Sequence, residues 1–275
     1  MVTQINSRVT FRIDDSPVPY VAPERAFPQH VAIGIPVAGP PTWALHDSLM
    51  TLKSPKGFTE VRAGQPDRPL PISEARDALV QGLLVLPDCG WLLQVDQDAI
   101  MHPETLVRLL SWDVPIVSAL VFGRYPPVIP IAFGQPRPDL GPHDYQVEID
   151  EIRHWIGIHE EMWTSNPVVL EPCPHDALVE RGFVGTHCLL VRRDVFETLE
   201  PPWFKQVIES GYQATGCDRY FCEKARAAGY SVYMDRSVIA GHMYGERSLG
   251  ALDFLAWDAI TDWASRTWVI GGKHG

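Results

Sequence analysis

Two carboxylates stand one residue apart at Asp96 and Asp98, directly after the apolar segment WLLQV and before the segment HPETLVRLLSW. The first segment is typical of a buried strand, and the second, with Pro103 near its start, is typical of a helix. On the turn between them, one carboxylate can reach a metal and the other a ribose or a metal-bound water. Their hard oxygens suit Mg²⁺ or Mn²⁺, which also bind diphosphate oxygens. Such a cation offsets the charge that builds on a departing nucleoside diphosphate.

His242 is the second residue whose type and position could serve a metal. It lies in VIAGHMYG, shortly after the predicted strand SVYMD, and the glycines at 241 and 245 allow tight turns. A neutral imidazole can complete the coordination sphere of Mn²⁺. The chain has ten histidines, so an ordinary loop histidine is the competing interpretation.

Asp218 is a candidate general base. It lies in the first turn of a predicted amphipathic helix, CDRYFCEKARAAGY. A carboxylate there interacts favourably with the helix dipole whether or not it has a chemical role. The same position could present it to the hydroxyl of an acceptor, from which a base must remove a proton.

The elements that position these residues are an alternating series of strands and helices. Buried strands are predicted at 31–37, 91–95 and 115–122, a short strand at 57–64, and helices at 42–54, 73–86 and 102–112, the second of these capped by Ser73. This alternation predicts an α/β fold with right-handed crossovers and a mainly parallel central sheet flanked by helices. Ligands of such sheets bind beyond the carboxyl ends of the strands, which places 36–39 and 96–98 on the same rim.

The domain prediction is a single domain over 30–265, with an extended arm at 1–29 rich in Pro and polar residues and a tail at 266–275. From Arg124 to Leu178 the sequence is irregular, with many Pro, His and acidic residues, as in a binding or lid segment. Strand and helix patterns return in FVGTHCLLVRRDVFETL, and a last helix is predicted in ALDFLAWDAITDWAS.

Composition excludes several classes of protein. The 275 residues are 45% hydrophobic and 21% charged, which is typical of a globular chain. There is no membrane-spanning segment of about 18 apolar residues and no apolar signal-peptide core, so we expect a cytoplasmic protein, in the host cytoplasm if it is phage-encoded. Five cysteines without a CxxC pair indicate reduced thiols. The net charge of −11 opposes broad attraction to nucleic acid but is compatible with a local basic groove.

In order, the motifs resemble the family-2-like glycosyltransferases of the GT-A fold (a Rossmann-like nucleotide-diphospho-sugar transferase fold), including short phage and bacterial members. The resemblance runs from about His30 to Tyr244. Its blocks are HVAIGIPVAGPP, SEARDALVQGLL with Asp77 in place of the family's Asn, LLQVDQDAIMHPETLVRLL, GFVGTHCLLVRRDVFETLEPPWF and GCDRYFCEKARAAGYSVYMDRSVIAGHM. The last two blocks are the most specific, because four features recur there in register.

The resemblance implies a role for each matched position. Asp96 and Asp98 would bind the metal and the donor, and His242 would be the third protein ligand. Arg76 would lie near the nucleotide or its phosphates. The remaining donor contacts would be Pro36, Val37 and Ala38 around the base and ribose, and Gly185 and Thr186 beside the sugar.

Asp218 matches the second acid of the family's Glu-Asp pair, which is the usual base of inverting members. Cys217 replaces the first acid. Retaining enzymes share the fold and metal site without needing such a base, and inversion is the favoured interpretation.

The expected donor is a UDP-sugar and the expected acceptor a hydroxyl. Resemblance to short phage members favours a hydroxymethylated pyrimidine in DNA, which would have to be flipped out of the duplex. A saccharide or lipid-linked saccharide is the alternative, and the net charge of −11 suits it better.

Two other classes share parts of the pattern. A nucleotidyltransferase also uses paired carboxylates and a metal, but it normally carries a Gly-rich loop with Lys or Arg after the first strand. The loop VAGPPTW has no basic residue. A nucleotide-sugar-binding module without catalysis would not need both the metal-binding groups and Asp218.

Overall fold

A computed structural model describes residues 2–6, 9–12, 30–39, 42–65, 67–125, 128–136, 145–164, 167–209, 212–261 and 269–270. Most of the predicted arm and of the predicted tail lies outside these residues. The strands are β1 (Val2–Asn6), β2 (Val9–Arg12), β3 (His30–Pro36), β4 (Phe58–Ala63), β5 (Cys89–Val95), β6 (Ala99–Ile100), β7 (Ile116–Val121), β8 (Ala132–Phe133), β9 (Tyr145–Gln146), β10 (Val168–Val169), β11 (Leu178–Arg181), β12 (Phe183–Val184), β13 (Cys188–Arg192), β14 (Val207–Glu209), β15 (Tyr212–Thr215), β16 (Val232–Tyr244), β17 (Arg247–Leu249) and β18 (Val269–Ile270). The helices are α1 (Trp43–Thr51), α2 (Ile72–Leu84), α3 (Thr105–Ser111), α4 (Ile149–Ile158), α5 (Glu161–Thr164), α6 (Arg193–Thr198), α7 (Cys217–Ala227) and α8 (Ala251–Thr261).

The central sheet is mixed, so the prediction of a mainly parallel sheet is wrong. Its main path runs β10-β16-β7-β13-β5-β3-β4. β3 is parallel to β4 and β5, and β16 is parallel to β7, but β13 is antiparallel to both β5 and β7. Parallel neighbours need a crossover that returns the chain to the starting edge. Between β7 and β13 the chain instead passes through the long segment of short elements β8 to β12, and it enters β13 from the opposite edge.

The three long strands predicted from apolar runs are present and completely enclosed. Every residue of β5 and β7 is buried, as is every residue of β3 after His30. Helix α2 begins at Ile72, after Pro71, and Ser73 lies inside its first turn without capping it. The prediction of Ser73 as the cap is wrong because Pro71 already supplies the residue before the helix, and its carbonyl accepts the Ala75 N–H at 2.9 Å.

The irregular segment after Arg124 contains a helix that the sequence patterns did not predict. α4 buries Ile149, Ile152, Trp155 and Ile156 on one face. The indole N–H of Trp155 donates to the carbonyl of Arg236 at 3.1 Å. This part of the segment therefore packs into the core. In the predicted N-terminal arm, β1 and β2 pair with each other.

β16 continues through the stretch that was expected to be a loop. A register shift between Asp235 and Ile239 interrupts its pairing with β7, and its last residues pair with β6 and β17. His242 therefore lies in a strand. The turn to β17 comes at Gly245, whose φ is 63°. Among the described helices, none is long and apolar enough to cross a membrane.

Candidate metal centre

The antiparallel direction of β13 brings His187 to the end of β5. Cys188, the first residue of β13, pairs with Val95, the last residue of β5. The residues just beyond the ladder, His187 and Asp96, are therefore neighbours, and the Asp96 N–H donates to the His187 carbonyl at 3.0 Å.

β16 brings His242 to the same place. His242 pairs with Ala99 of β6, directly after the Asp-x-Asp turn. The N–H of Met243 donates to the carbonyl of Asp98 at 2.8 Å. The side chains of Asp98 and His242 consequently face each other across two paired strands.

Asp98, His187 and His242 form a compact cluster whose possible ligand atoms all lie within 4.8 Å of one another. His242 Nε2 is 3.3 Å from Asp98 Oδ2, and His187 Nδ1 is 3.9 Å from Asp98 Oδ1. The two imidazole rings lie with their centroids 4.1 Å apart. One carboxylate and two imidazoles are a donor set that suits a divalent transition metal.

Hydrogen bonds to backbone carbonyls orient both histidines for this role. His187 Nε2 is 3.0 Å from the carbonyl oxygen of Gly241, and His242 Nδ1 is 3.1 Å from that of Phe122. A carbonyl can only accept, so these nitrogens carry protons. The other two nitrogens, His187 Nδ1 and His242 Nε2, face the carboxylates, where each can carry a proton or, in a neutral ring, offer a lone pair to a metal. Metal-binding histidines are held by this kind of outer hydrogen bond.

His187 Nδ1 is the clearest sign that the cluster accommodates a cation. The side chain is 3% exposed, and this buried nitrogen has no hydrogen-bond partner among the residues that the structure describes. Its nearest charged atom is Asp96 Oδ2 at 3.4 Å. A buried polar atom without a partner is costly, and a metal ion between the imidazoles and Asp98 would satisfy it.

Asp96 lies beside this cluster and is held by a buried arginine. Arg76 Nη2 donates to Asp96 Oδ1 at 2.7 Å, and the Arg76 side chain is 3% exposed. Arg76 Nη1 also contacts Gln94 Oε1 at 3.0 Å and the Thr186 carbonyl at 3.4 Å. One oxygen of Asp96 is thus engaged by Arg76, while the other faces His187.

The electrostatics of the cluster keep both aspartates ionised. Burial by itself raises the pKa of Asp96, but the charges of Arg76 and His187 outweigh burial and hold it well below its usual range. Burial likewise opposes ionisation of Asp98, and its pKa is lowered by the His242 hydrogen bond and the His187 charge. Burial lowers the pKa of His187 and the two aspartates raise it, with a net rise.

The predicted donor-binding residues border the same edge. Pro36 ends β3, Val37 is buried behind it, and the Ala38 N–H donates to Gln97 Oε1, within the Asp-x-Asp turn, at 2.9 Å. Gly185 and Thr186 directly precede His187. The structure thus brings the 36–39 turn, the Asp-x-Asp turn and the 185–187 segment together.

Asp218 lies at the start of α7, as predicted, and is partly buried. Its Oδ1 accepts the Arg219 N–H at 2.8 Å. Burial raises its pKa, and the charges of Arg76 and Asp96 act on it in opposite directions. Asp218 therefore lies within electrostatic range of the Arg76–Asp96 pair.

Sequence reasoning found Asp98 and His242 and missed His187. His187 lies in the predicted strand and helix pattern FVGTHCLLVRRDVFETL, and a mainly parallel sheet was expected. The start of a parallel strand would lie at the opposite edge of the sheet.

The fold and the cluster define a mixed α/β protein with a candidate metal centre where β5, β13 and β16 meet. No protein-family model matches the sequence, and no curated protein matches it. Among solved structures, A197 from STIV is similar, with a TM-score of 0.52 and 14% identity, over 90% of this chain and 96% of A197. That similarity shows a shared fold over nearly all of both chains. GalNAc-T7, in a crystal structure with UDP, GalNAc and Mn²⁺, has a TM-score of 0.47 and 10% identity, over 86% of this chain and 48% of GalNAc-T7. The second similarity is too weak to argue from.

Proposed function

We propose that this protein is a metal-dependent glycosyltransferase of the GT-A type, which moves a sugar from a nucleoside diphosphate sugar to a hydroxyl acceptor. The observation that carries the proposal is the pair of histidines, His187 and His242. Each donates one N–H to a backbone carbonyl and turns its other nitrogen toward Asp98. This cluster lies on the edge where the motif resemblance places the donor diphosphate.

Asp98, His187 and His242 would hold the metal, with Asp96 beside them on the metal-bound water or the ribose. When bound, the metal supplies positive charge to the leaving nucleoside diphosphate. Two imidazoles favour Mn²⁺ over Mg²⁺, which prefers oxygen ligands alone. The same donor set also binds iron(II) and zinc in other enzymes.

The other residues of this edge would bind and orient the two substrates within a single catalytic domain over 30–265. Backbone atoms of Pro36, Val37 and Ala38 would line the base and ribose pocket, and Gly185 and Thr186 would border the sugar. Arg76 is enclosed beneath the site, so its contribution is to hold Asp96 in place.

Asp218 would be the general base of an inverting transfer. A base takes the proton of the acceptor hydroxyl as that oxygen attacks the sugar carbon on the face opposite the departing diphosphate. The raised pKa of Asp218 makes it a stronger base than an exposed aspartate.

The experiment is to incubate the protein with Mn²⁺ and a panel of UDP-, GDP- and TDP-sugars and to follow nucleoside diphosphate release. We expect release with one donor, UDP-linked, that is abolished by EDTA and restored by Mn²⁺. Asp98→Asn should abolish it, whereas Asp47→Asn, at an exposed position of α1, should not. If the protein neither binds any nucleotide sugar nor releases nucleoside diphosphate from one, the proposal is wrong.

The acceptor is tested by adding hydroxymethylated DNA or oligosaccharides to the same reaction. Stimulation by the DNA supports a modified pyrimidine as the acceptor. Stimulation by a saccharide supports the alternative acceptor, which the net charge of −11 favours.

The Asp218→Asn variant distinguishes an enzyme from a nucleotide-sugar-binding module without catalysis. An enzyme loses turnover in this variant and keeps donor binding. A binding module has no turnover to lose.

A further inference from the structure

Arg124 occupies a position that a bound metal would need. Its Nη1 donates to Asp98 Oδ2 at 2.6 Å. The same Asp98 oxygen is 3.3 Å from His242 Nε2, so it is the carboxylate atom that the metal would share with that imidazole. A guanidinium and a divalent cation both seek this oxygen, and their like charges repel strongly at such short range.

Arg124 can be displaced from Asp98 more easily than Arg76 can be displaced from Asp96. Its side chain is 40% exposed, whereas Asp98 is 16% exposed, so the guanidinium approaches from the solvent side. Among the described residues, Asp98 is the one hydrogen-bond partner of the Arg124 side chain. Arg76 is 3% exposed and bonded to three acceptors. The Asp98–Arg124 pair is therefore the exchangeable one.

We propose that Arg124 occupies the metal's position on Asp98 when no metal is bound. When the metal binds, the Arg124 side chain moves away from Asp98 and its guanidinium pairs with the diphosphate of the donor. This inference rests on the proposed function. The metal releases Arg124 beside the point where the diphosphate binds, and a guanidinium is suited to bind phosphate oxygens in a bidentate manner. The ring of Tyr125 lies 5.0 Å beneath the Arg124 guanidinium, and this stacking keeps the freed group at the rim of the site.

The proposal predicts that Arg124 affects metal and nucleotide in opposite directions. Without Arg124 the metal has no competitor for Asp98, so the metal should bind more tightly. The diphosphate loses a charged partner, so it should bind more weakly. A residue that only supports the structure of the site would weaken both.

The test uses Mn²⁺ alone first and Mn²⁺ with uridine diphosphate second. Binding of Mn²⁺ to the nucleotide-free protein is followed by the loss of the free-ion electron paramagnetic resonance signal. We expect Arg124→Gln to bind Mn²⁺ about fivefold more tightly than wild type, which is typical of losing one partly exposed ion pair. With saturating Mn²⁺, calorimetry should show uridine diphosphate binding about tenfold more weakly to this variant.

Arg192→Gln is the matched control. Arg192 is 34% exposed and pairs with Asp194 at 2.7 Å, but it ends β13 and lies at the opposite edge of the sheet. Neither affinity should change in this variant. Arg124→Lys keeps the charge without the bidentate geometry, so its Mn²⁺ affinity should stay near that of wild type while uridine diphosphate binds more weakly.

The outcomes separate this inference from the function on which it rests. If wild type binds Mn²⁺ and Arg124→Gln binds it no more tightly, or binds uridine diphosphate equally well, the exchange is wrong and the metal site stands. If neither protein binds Mn²⁺, the metal site fails and the exchange fails with it. If Arg124→Gln binds Mn²⁺ and wild type does not, the competition for Asp98 is demonstrated.

Discussion

The N–H of Asp96 donates to the carbonyl of His187 at 3.0 Å, across the ends of two antiparallel strands. This bond belongs to the backbone, so it holds the two residues next to each other whatever ions are present. Their side chains approach to 3.4 Å between Asp96 Oδ2 and His187 Nδ1. The cluster is pre-organised, and binding a metal requires little rearrangement of His187.

His187→Asn should lower Mn²⁺ affinity at least about tenfold, because even the residues that only support metal ligands affect affinity by this amount. The measurement is a Mn²⁺ titration followed by electron paramagnetic resonance. His46→Asn, at an exposed position of α1, is the control and should bind Mn²⁺ as wild type does. Unchanged Mn²⁺ affinity in His187→Asn would remove this residue from the metal site.

Asp218→Asn should lower the rate of transfer about 10²- to 10⁴-fold, as expected for the loss of a general base. Donor affinity should stay within about twofold, because an uncharged residue of the same size is retained. Steady-state kinetics and calorimetry with the donor measure the two quantities. Equal loss of rate and donor affinity would assign Asp218 to donor binding instead.

The pH dependence of the transfer rate should also show the ionisation of Asp218. Burial raises its pKa above the usual 3.8, and the base must be ionised, so kcat/KM should rise with pH through an inflection above that value. The charges that act on Asp218 are those of Arg76 and Asp96. The inflection should be absent from the residual activity of Asp218→Asn, and its persistence there would assign it to another group.

The raised pKa of Asp218 should lower the free energy of unfolding at neutral pH. An acid whose pKa is raised in the folded state favours folding below its unfolded pKa and loses that contribution as pH rises through the folded pKa. Asp218→Asn should therefore have a larger free energy of unfolding than wild type at pH 7, and the difference should shrink toward pH 3. Urea unfolding at the two pH values measures it, and a difference that grows toward pH 3 would contradict the assigned shift.

Arg76→Gln should destabilise the protein by about 2–4 kcal/mol, because it leaves Asp96 without its partner. Asp96 is 24% exposed, which limits the loss. Urea unfolding at pH 7 measures the change. Arg192→Gln breaks a more exposed pair and should cost no more than about 1 kcal/mol. Equal effects of the two substitutions would show that burial of Arg76 does not matter.

Gly182 and Gly157 form a pair in which the same substitution should act in opposite directions. A Cβ at Gly182 would lie 2.0 Å from the carbonyl oxygen of Gly134, so the backbone would have to move. Gly182→Ala should lower the free energy of unfolding by about 1–3 kcal/mol. A Cβ at Gly157, in α4, meets nothing within 4 Å, and Gly157→Ala should raise it by about 0.5–1 kcal/mol. Thermal or urea unfolding of both variants tests the packing at each site.

Much of the site could be predicted because it depends on local pattern. Asp96 and Asp98 follow a short apolar run that predicts a buried strand, and the structure has that strand as β5. For Arg76 the resemblance implied a place near the nucleotide or its phosphates. The structure has it buried on the helical stripe of Leu79, Val80 and Leu83, where its guanidinium pairs with Asp96.

His187 could not be predicted because its place depends on strand direction. An apolar run such as CLLVR predicts a buried strand equally well in either orientation. The direction of β13 is set by the path of the chain through the preceding segment, in which α4 and the two-residue strands β8 to β10 give weak periodic signals. The mixed sheet and the second histidine of the cluster, His187, were thus missed for the same reason.

The most direct test of the account is anomalous diffraction at the manganese edge from crystals soaked in Mn²⁺ and uridine diphosphate. The account predicts one strong peak within bonding distance of Asp98, His187 Nδ1 and His242 Nε2, about 2.0–2.3 Å from each ligand atom. A manganese peak that lacks His187 and His242, or no peak at this edge of the sheet, would contradict it.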